Sequence, residues 1–275
     1  MRTTRAIPMT IVNLLIGIGG LAVAFPYFYM VISSLKRQDQ IYQIPISLIP
    51  NPATLADYQQ LFSNFPFPRW FLNSAIVAVG STVATLIVCS LAGFALAKYQ
   101  FRGQKTIFIL MIATLTLPFQ ILLVPLFKEM SAFAWLNTYW ALIVPFAGSA
   151  FGVFLMRQFM LSVPTALLEA GRIDGASEFT LYWRVALPLV RTGLAMLALL
   201  SFITSWNDFL WPLVATSSDD MYLLNIGIAT MSSAYKIEYG SIIAASVLTT
   251  LPIAVIFLTL QRQFIAGLTA GALKG

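Results

Sequence analysis

Residues 164–191 read PTALLEAGRIDGASEFTLYWRVALPLVR, a polar, charge-bearing island between two long apolar runs. Pro164 suits a first helical turn, helix formers continue to Ile173, and Asp174-Gly175 is a stop-and-turn dipeptide before helical propensity resumes near Ser177. The stretch predicts a helix, a turn and a second helix, exposed rather than buried in a membrane. Ala166, Ala170 and Gly171 share a helix face with almost no side-chain bulk, four and five residues apart. Glu169, Arg172, Asp174 and Glu178 place charge around that face, and Leu167, Ile173, Phe179 and Leu181 offer apolar anchors. This is the chemistry of a docking knob rather than of a catalytic site.

The runs on either side set the fold class. The chain has 275 residues, of which 59% are hydrophobic and 9% charged, whereas soluble domains carry about 25% charged residues. It reads as an all-α, polytopic membrane protein, a single domain over 1–275 with six transmembrane helices at about 7–35, 73–97, 106–127, 138–156, 192–214 and 241–260. Ala22-Val23-Ala24 has the look of a signal-peptidase site, but the first apolar run continues through Tyr29 and Ile32, beyond the roughly 7–15 residues of a secretory core. It is expected to be an uncleaved span. Residues 36–69 carry Pro45, Pro50, Pro52, Pro66 and Pro68 and read as loop with short interfacial helix, and Trp70 and Phe71 mark a membrane boundary.

Polar groups inside the spans are candidate solute contacts. Pro118, Gln120 and Pro125 interrupt the third span without a charge, which suits either a pathway wall or a kinked helix packed on a partner. Trp206, Asn207, Asp208, Phe209 and Trp211 close the fifth. Aromatic faces beside hydrogen-bonding groups suit a sugar, whose CH face is apolar and whose rim is hydroxylated; an aromatic belt with Asp208 reaching water is the alternative. Gly148 and Gly152 form a GxxxG pair, a pattern that permits close helix approach.

Several functions drop out. The chain has no histidine and a single cysteine, Cys89, set in an apolar run, so neither an acid–base pair nor a disulfide nor a metal site assembles. No GxxxxGK[ST] loop is present, so ATP is not bound in the P-loop manner. The sixteen Lys and Arg are spread over short loops, which reports topology rather than a nucleic-acid ligand. With both termini cytoplasmic, Arg2, Arg5, Lys98, Arg102, Lys105, Arg157, Arg172, Arg184, Arg191, Arg262 and Lys274 lie inside. Lys36, Arg37, Arg69, Lys128 and Lys236 lie outside. The bias favours this orientation and puts 164–191 in the cytoplasm, although Lys36 and Arg37 run against it.

Glu169-Ala170-Gly171, then Asp174-Gly175-Ala176, then Trp183-Arg184-Val185-Ala186-Leu187-Pro188-Leu189 resembles the EAA coupling loop of ABC importer permeases, in the position that the family gives it between the fourth and fifth spans. Gly171 for the usual third Ala, Tyr182 for a frequent Phe and Thr192 for a frequent Pro are the departures. PheArgGly at 101–103, LeuAsnThrTyrTrpAlaLeu at 136–142, TrpAsnAspPheLeuTrpPro at 206–212 and, at the end, residues 250–257 and 261–275 resemble carbohydrate permeases of the maltose type. The resemblance implies the transmembrane domain of a type I importer in a prokaryotic cell membrane. It would work with a second homologous permease, two ABC ATPase subunits that bind ATP and magnesium, and an extracytoplasmic sugar-binding protein. It implies that Glu169, Ala170, Gly171, Asp174, Gly175 and Ala176 meet the ATPase, and that Gly271, Ala272, Lys274 and Gly275 in the tail reach it too. It also implies that 217–238 faces the binding protein.

The absence of Lys or Arg within the spans favours a neutral sugar, with polyols and glycerophosphate-type solutes as alternatives. An ion-coupled secondary transporter is the other class; it would need ionisable groups at mid-membrane or inverted repeats, and only Asp208 approaches this.

Overall fold

The computed structural model describes the backbone of residues 9–232 and 238–272, and side chains up to Gln261. The structure is helical, and among the described residues three helices are long and apolar enough to cross a membrane: Met9–Ser33, Phe67–Lys98 and Tyr239–Gln261. Three bent pairs complete a set of up to six: Gln104–Thr116 with Phe119–Ala132, Tyr139–Phe146 with Ala150–Leu161, and Glu178–Leu189 with Arg191–Trp206.

The breaks change the expected spans, and each has a local cause. The third is no single rod, since its limbs meet at 106°. Leu117 precedes Pro118 and is forced out of the α region, to φ −83° and ψ 121°. The second limb then continues to Ala132, through residues expected as loop. The fourth bends by 46° around Ala147–Ser149, where Ser149 caps the next helix by accepting from the Gly152 N–H at 3.2 Å. The fifth ends at Trp206 rather than Val214, and a short helix, Leu210–Ala215, follows the break. The second helix begins at Phe67, earlier than expected, because Pro68 falls in its first turn, where a missing N–H costs nothing. The last helix runs through the expected tail to Ala272; no proline or β-branched cluster interrupts Gln261–Ala272.

The chain divides into two compact units, residues up to 67 with 228–251, and 68–227 with 252–275. In the first, Met9–Ser33 has none of its apolar window buried, as befits a helix whose solvent is lipid. Past its end, the Tyr58 hydroxyl donates to Ser34 Oγ at 2.8 Å and the Thr54 N–H to the Leu35 carbonyl at 2.9 Å. Lys36 is buried with Nζ 4.7 Å from the Tyr29 ring centroid, a cation–π contact that shelters one of the two charges opposing the orientation rule.

Two apolar cores lie among the described residues of the second unit. One joins Cys89, Phe94 and Leu96 of the second helix, Val153, Met156 and Met160 of the fourth, Leu197 of the fifth, and Leu168, Leu181, Tyr182 and Ala186 of the polar island. Its helices cross closely: a Cβ on Gly93 would lie 2.8 Å from Met156 Cβ, and one on Gly152 2.8 Å from Cys89 Sγ. Gly148 has nothing within 4 Å, so the GxxxG pair contributes one close contact, not two. The other core joins Val77, Met130, Ala141, Leu142, Trp211, Ala215 and Leu223. Around it, Asn73 donates to the Asp220 and Tyr222 carbonyls at 2.7 and 2.9 Å and accepts from the Tyr139 hydroxyl at 2.7 Å. Asn137 likewise accepts from the Ser217 and Ser218 N–H groups at 3.0 and 3.2 Å, so residues 217–222 are tied to the helices below them.

Candidate functional site

Two features of the second unit carry chemistry, the polar island and a cavity. The island folds as helix Thr165–Ile173, a turn, and helix Glu178–Leu189. The turn is a Schellman motif: the Ala176 N–H donates to the Gly171 carbonyl at 2.9 Å and the Gly175 N–H to the Arg172 carbonyl at 3.0 Å. Gly175 sits at φ +80°, left-handed backbone that glycine adopts without penalty. Ser177 then caps the second helix, accepting from the Thr180 N–H at 3.2 Å. That helix passes through a π segment, Leu181–Ala186, and breaks at Val190, where its axis and that of Arg191–Trp206 differ by 82°. Pro188, two residues before this break, has no N–H to continue the α ladder.

The island's faces are sorted sharply. Leu168, Leu181, Tyr182 and Ala186 are buried in the core, whereas Ile173, Phe179 and Trp183 are 87%, 67% and 60% exposed. Leu167 and Leu189 add to the open apolar side, and Phe179 stacks on Trp183 at 6.5 Å. Glu169, Ala166, Ala170, Asp174 and Gly175 are exposed, and Ala176 is half-buried against the core. Gly171 faces inward: a Cβ there would lie 2.5 Å from Leu181 Cδ2, so its smallness admits this chain's own second helix. Trp183 and Leu189 entered the sequence reading only within the motif, and the structure leaves both on the exposed side. Arg172 Nε donates to Glu178 Oε1 at 2.7 Å across the turn, and the Tyr99 hydroxyl donates to Glu178 Oε2. The hydrogen bond from Arg172, then that from Tyr99, hold the Glu178 carboxyl below its usual range. In the tail, Gly271 and Ala272 lie in the last helix, while Lys274 and Gly275 lie outside the described residues.

The cavity holds about 370 Å³ and is lined by Ser81 and Thr85 of the second helix, Ser149 and Phe151 of the fourth, and Ser201, Thr204, Ser205 and Asp208 of the fifth and its break. Phe119 and Phe146 supply aromatic walls. Of the residues expected to meet solute, Asp208 alone is in this lining. Trp206 and Trp211 are buried, Trp206 stacked on Phe202 at 5.5 Å and Trp211 donating Nε1–H to the Ala141 carbonyl at 2.9 Å. Asn207 closes the helix end, its Nδ2 donating to the Ile203 carbonyl at 2.9 Å. Phe209 and Gln120 are exposed away from the lining. The hydroxyls went unnoticed in the sequence, although Ser81 with Thr85, and Ser201 with Thr204 and Ser205, recur at one helical turn within apolar runs.

Comparison with known proteins gives concordant matches. The model of the family described as "binding-protein-dependent transport system inner membrane component" matches residues 90–269. The arabinooligosaccharides transport system permease protein AraQ of Halalkalibacterium halodurans is 39% identical over 91% of this chain and 91% of its own length. The sn-glycerol-3-phosphate transport system permease protein UgpE of Yersinia pestis is 33% identical over 93% and 94%. Among solved structures, a chain of a bacterial ABC transporter involved in the import of the acidic polysaccharide alginate superposes with a TM-score of 0.83 at 24% identity, over 93% of this chain and 96% of that one.

Proposed function

Since the chain belongs to the binding-protein-dependent transport system inner membrane components, we propose that it couples ATP hydrolysis in partner subunits to the import of a sugar through the docking surface of residues 164–191. It is the multi-pass permease subunit of an ABC importer for sugars or oligosaccharides in the inner membrane, it acts in a complex with a binding protein, and ATP is bound by its partner. The finer assignments are our own: a second homologous permease and two ATPase subunits complete the complex, both termini are cytoplasmic, and 1–275 acts as one translocation domain.

The observation that carries the coupling role is the open apolar face of Ile173, Phe179 and Trp183 on a segment that also carries Glu169, Arg172, Asp174 and Glu178. Large exposed apolar groups rimmed by charge mark a surface that another protein covers. Glu169, Ala170, Asp174, Gly175 and Ala176 would then meet a cleft of the ATPase, and Gly171 would set the angle between the helices. Closure of the ATPases would move the island as a rigid body with the helices packed on it. Gly271, Ala272, Lys274 and Gly275 would add a second ATPase contact, and residues 217–238 would meet the binding protein. For the solute we favour a sugar, in keeping with the arabinooligosaccharide permease as the more similar of the two relatives; a glycerophosphate is the alternative.

The test is purification of the native membrane complex, identification of its subunits, and assay of ATP hydrolysis with the binding protein loaded with arabinooligosaccharide, lactose or sn-glycerol 3-phosphate. Recovery of a second permease and an ATPase, with hydrolysis stimulated by a sugar, supports the reading. A single subunit that transports on an ion gradient overturns it.

A further inference from the structure

We propose that the corner between the end of the second helix and the start of Gln104–Ala113 is a site for an anionic phospholipid. Arg102, Lys105 and Arg157 hold its headgroup phosphate, and its acyl chains lie along the helix that follows. Such a site requires only that this face meets a membrane, and it does not depend on which solute is carried.

One acceptor assembles the corner. The Leu96 carbonyl, in the last turn of the second helix, accepts from Gln104 Nε2 at 2.8 Å and from Arg157 Nε at 3.2 Å. The arginine of Ala150–Leu161 is thereby brought to the first turn of Gln104–Ala113, which also holds Lys105 and which Arg102 precedes by two residues. The Arg157 guanidinium lies 4.3 Å from the centroid of the Phe108 ring, one turn further along, and this contact with the ring face helps to hold its plane. Lys98 joins from the other side, donating to the Val163 carbonyl. All four cations therefore gather at the end of the second unit from which the island begins.

These charges lack counter-ions. Arg37 and Arg172 pair with carboxylates, but among the described residues Lys98, Arg102, Lys105 and Arg157 form no ion pair. Glu178, which reaches this side through the Tyr99 hydroxyl, is already held by Arg172. Arg102 and Lys105 are exposed, Arg157 is partly buried, and the terminal N–H groups of Arg157 have no acceptor among the described residues. Topology alone asks for cations near the end of a span. It does not ask for an arginine packed between helices with its fork unused, and such a fork suits a phosphate, which it grips with two N–H groups. The surroundings select lipid over a soluble anion: Phe101 beside Arg102 is exposed, as are Ile107, Ile109 and Leu110 further along the helix, so apolar surface for acyl chains leads away from the cations. Basic pockets between helices at a membrane surface bind acidic headgroups in this way. Several uncompensated charges favour a lipid with net negative charge over a zwitterion.

The test places the whole complex in phosphatidylcholine nanodiscs containing a small share of either phosphatidylglycerol or phosphatidylcholine with a photoreactive group high on one acyl chain. Labelled peptides of this chain are mapped by mass spectrometry, and the reading is the ratio of phosphatidylglycerol to phosphatidylcholine labelling over 106–113. The ratio is expected to favour phosphatidylglycerol and to persist in excess inorganic phosphate. Arg102→Gln and Lys105→Gln, both at exposed positions, should each lower it about fivefold, the effect of one basic residue near an anionic headgroup. Arg157→Lys, which keeps the charge and loses the fork, should lower it too. Lys128→Gln, which removes the same charge at another exposed position, should leave it unchanged. Equal labelling by the two lipids overturns the site, as does a ratio that none of the three substitutions moves or that Lys128→Gln lowers as far. A parent-like Arg157→Lys overturns the phosphate grip, and loss of the preference in inorganic phosphate overturns lipid in favour of a soluble anion. Cross-links from 101–105 to another subunit in place of lipid make the corner a protein interface and overturn the proposal.

Discussion

Replacing Gly175 separates the geometry of the coupling turn from its bulk. Its φ is +80°, and a Cβ added there would find nothing within 4 Å. The substitution therefore meets no neighbour in this chain, and its cost is that of left-handed backbone, about 1–2 kcal/mol for a residue with a Cβ, higher for β-branched Val. A penalty of that size divides the ratio of ordered to rearranged turn by about 5–30. The rearranged turn loses the bonds from Ala176 N–H to Gly171 and from Gly175 N–H to Arg172, 2.9 and 3.0 Å in the intact motif, and swings the face bearing Ile173 away from that bearing Phe179. Asn tolerates the left-handed region, so coupling should decline in the order Gly, Asn, Ala, Val. The assay is uptake per ATP hydrolysed in proteoliposomes with loaded binding protein, alongside recovery of the ATPase on affinity purification. If Gly175→Val transports and retains its ATPase like the parent, the turn is not the coupling element. If Gly175→Asn fails as badly as Gly175→Val, bulk at the interface, not backbone angle, governs the turn.

Other perturbations test the supporting structure. A Cβ on Gly193 would lie 2.5 Å from both Cγ and Cδ2 of Phe159; Gly193→Ala should destabilise by about 1–3 kcal/mol through overpacking, read as a lower thermal midpoint in detergent and relieved by Phe159→Leu. Asn73 is fully buried and makes three hydrogen bonds, so Asn73→Ala should cost about 1–3 kcal/mol for the groups left unpaired and raise protease sensitivity between Ser217 and Tyr222. The Glu178 carboxyl is depressed by Arg172 and Tyr99, so its contribution is fully present above the ordinary carboxylate range, about 4.3, and is lost as pH falls through the depressed value. Hydrogen exchange across 172–178 should then be insensitive to that group between about pH 6 and 8 and faster only in stronger acid, whereas Glu178→Gln should speed it at neutral pH.

What the sequence made legible was whatever depends on local chemistry. Asp174-Gly175 announces a stop and a turn, with a helix resuming near Ser177, without reference to the rest of the chain, and the structure forms that turn as a Schellman motif with Ser177 as the next N-cap. The apolar runs announce spans for the same reason. Their breaks were harder to read. Pro118 and Pro125 both lie in one run, yet the helix breaks at the first and carries the second inside it, because the tertiary surroundings decide which prolines a helix absorbs. The direction of a side chain was least legible. Trp206 and Trp211 have the composition of a sugar platform, but packing on Phe202 and the Ala141 carbonyl turns them into the core. Gly171 looked like an opening for another protein and instead accommodates Leu181.

The placement of the two sites explains how one can act on the other. The second, fourth and fifth helices each contribute to the core beneath the island, through Cys89, Met156 and Leu197 among others. The same helices, or the break that ends the fifth, line the cavity through Ser81, Ser149 and Thr204. A buried hydrogen bond of 2.7 Å between Ser90 Oγ and the Tyr182 hydroxyl ties the second helix to the island directly. Close-packed interiors transmit displacement rather than absorb it, so a movement imposed on Ile173 and Trp183 from outside reaches the cavity wall through three helices at once. A loop tethered by a single connection would bend instead. If the island docks a partner as proposed, its apolar underside, Leu168, Leu181 and Ala186, would be as much a part of the coupling device as the exposed face that the partner would grip.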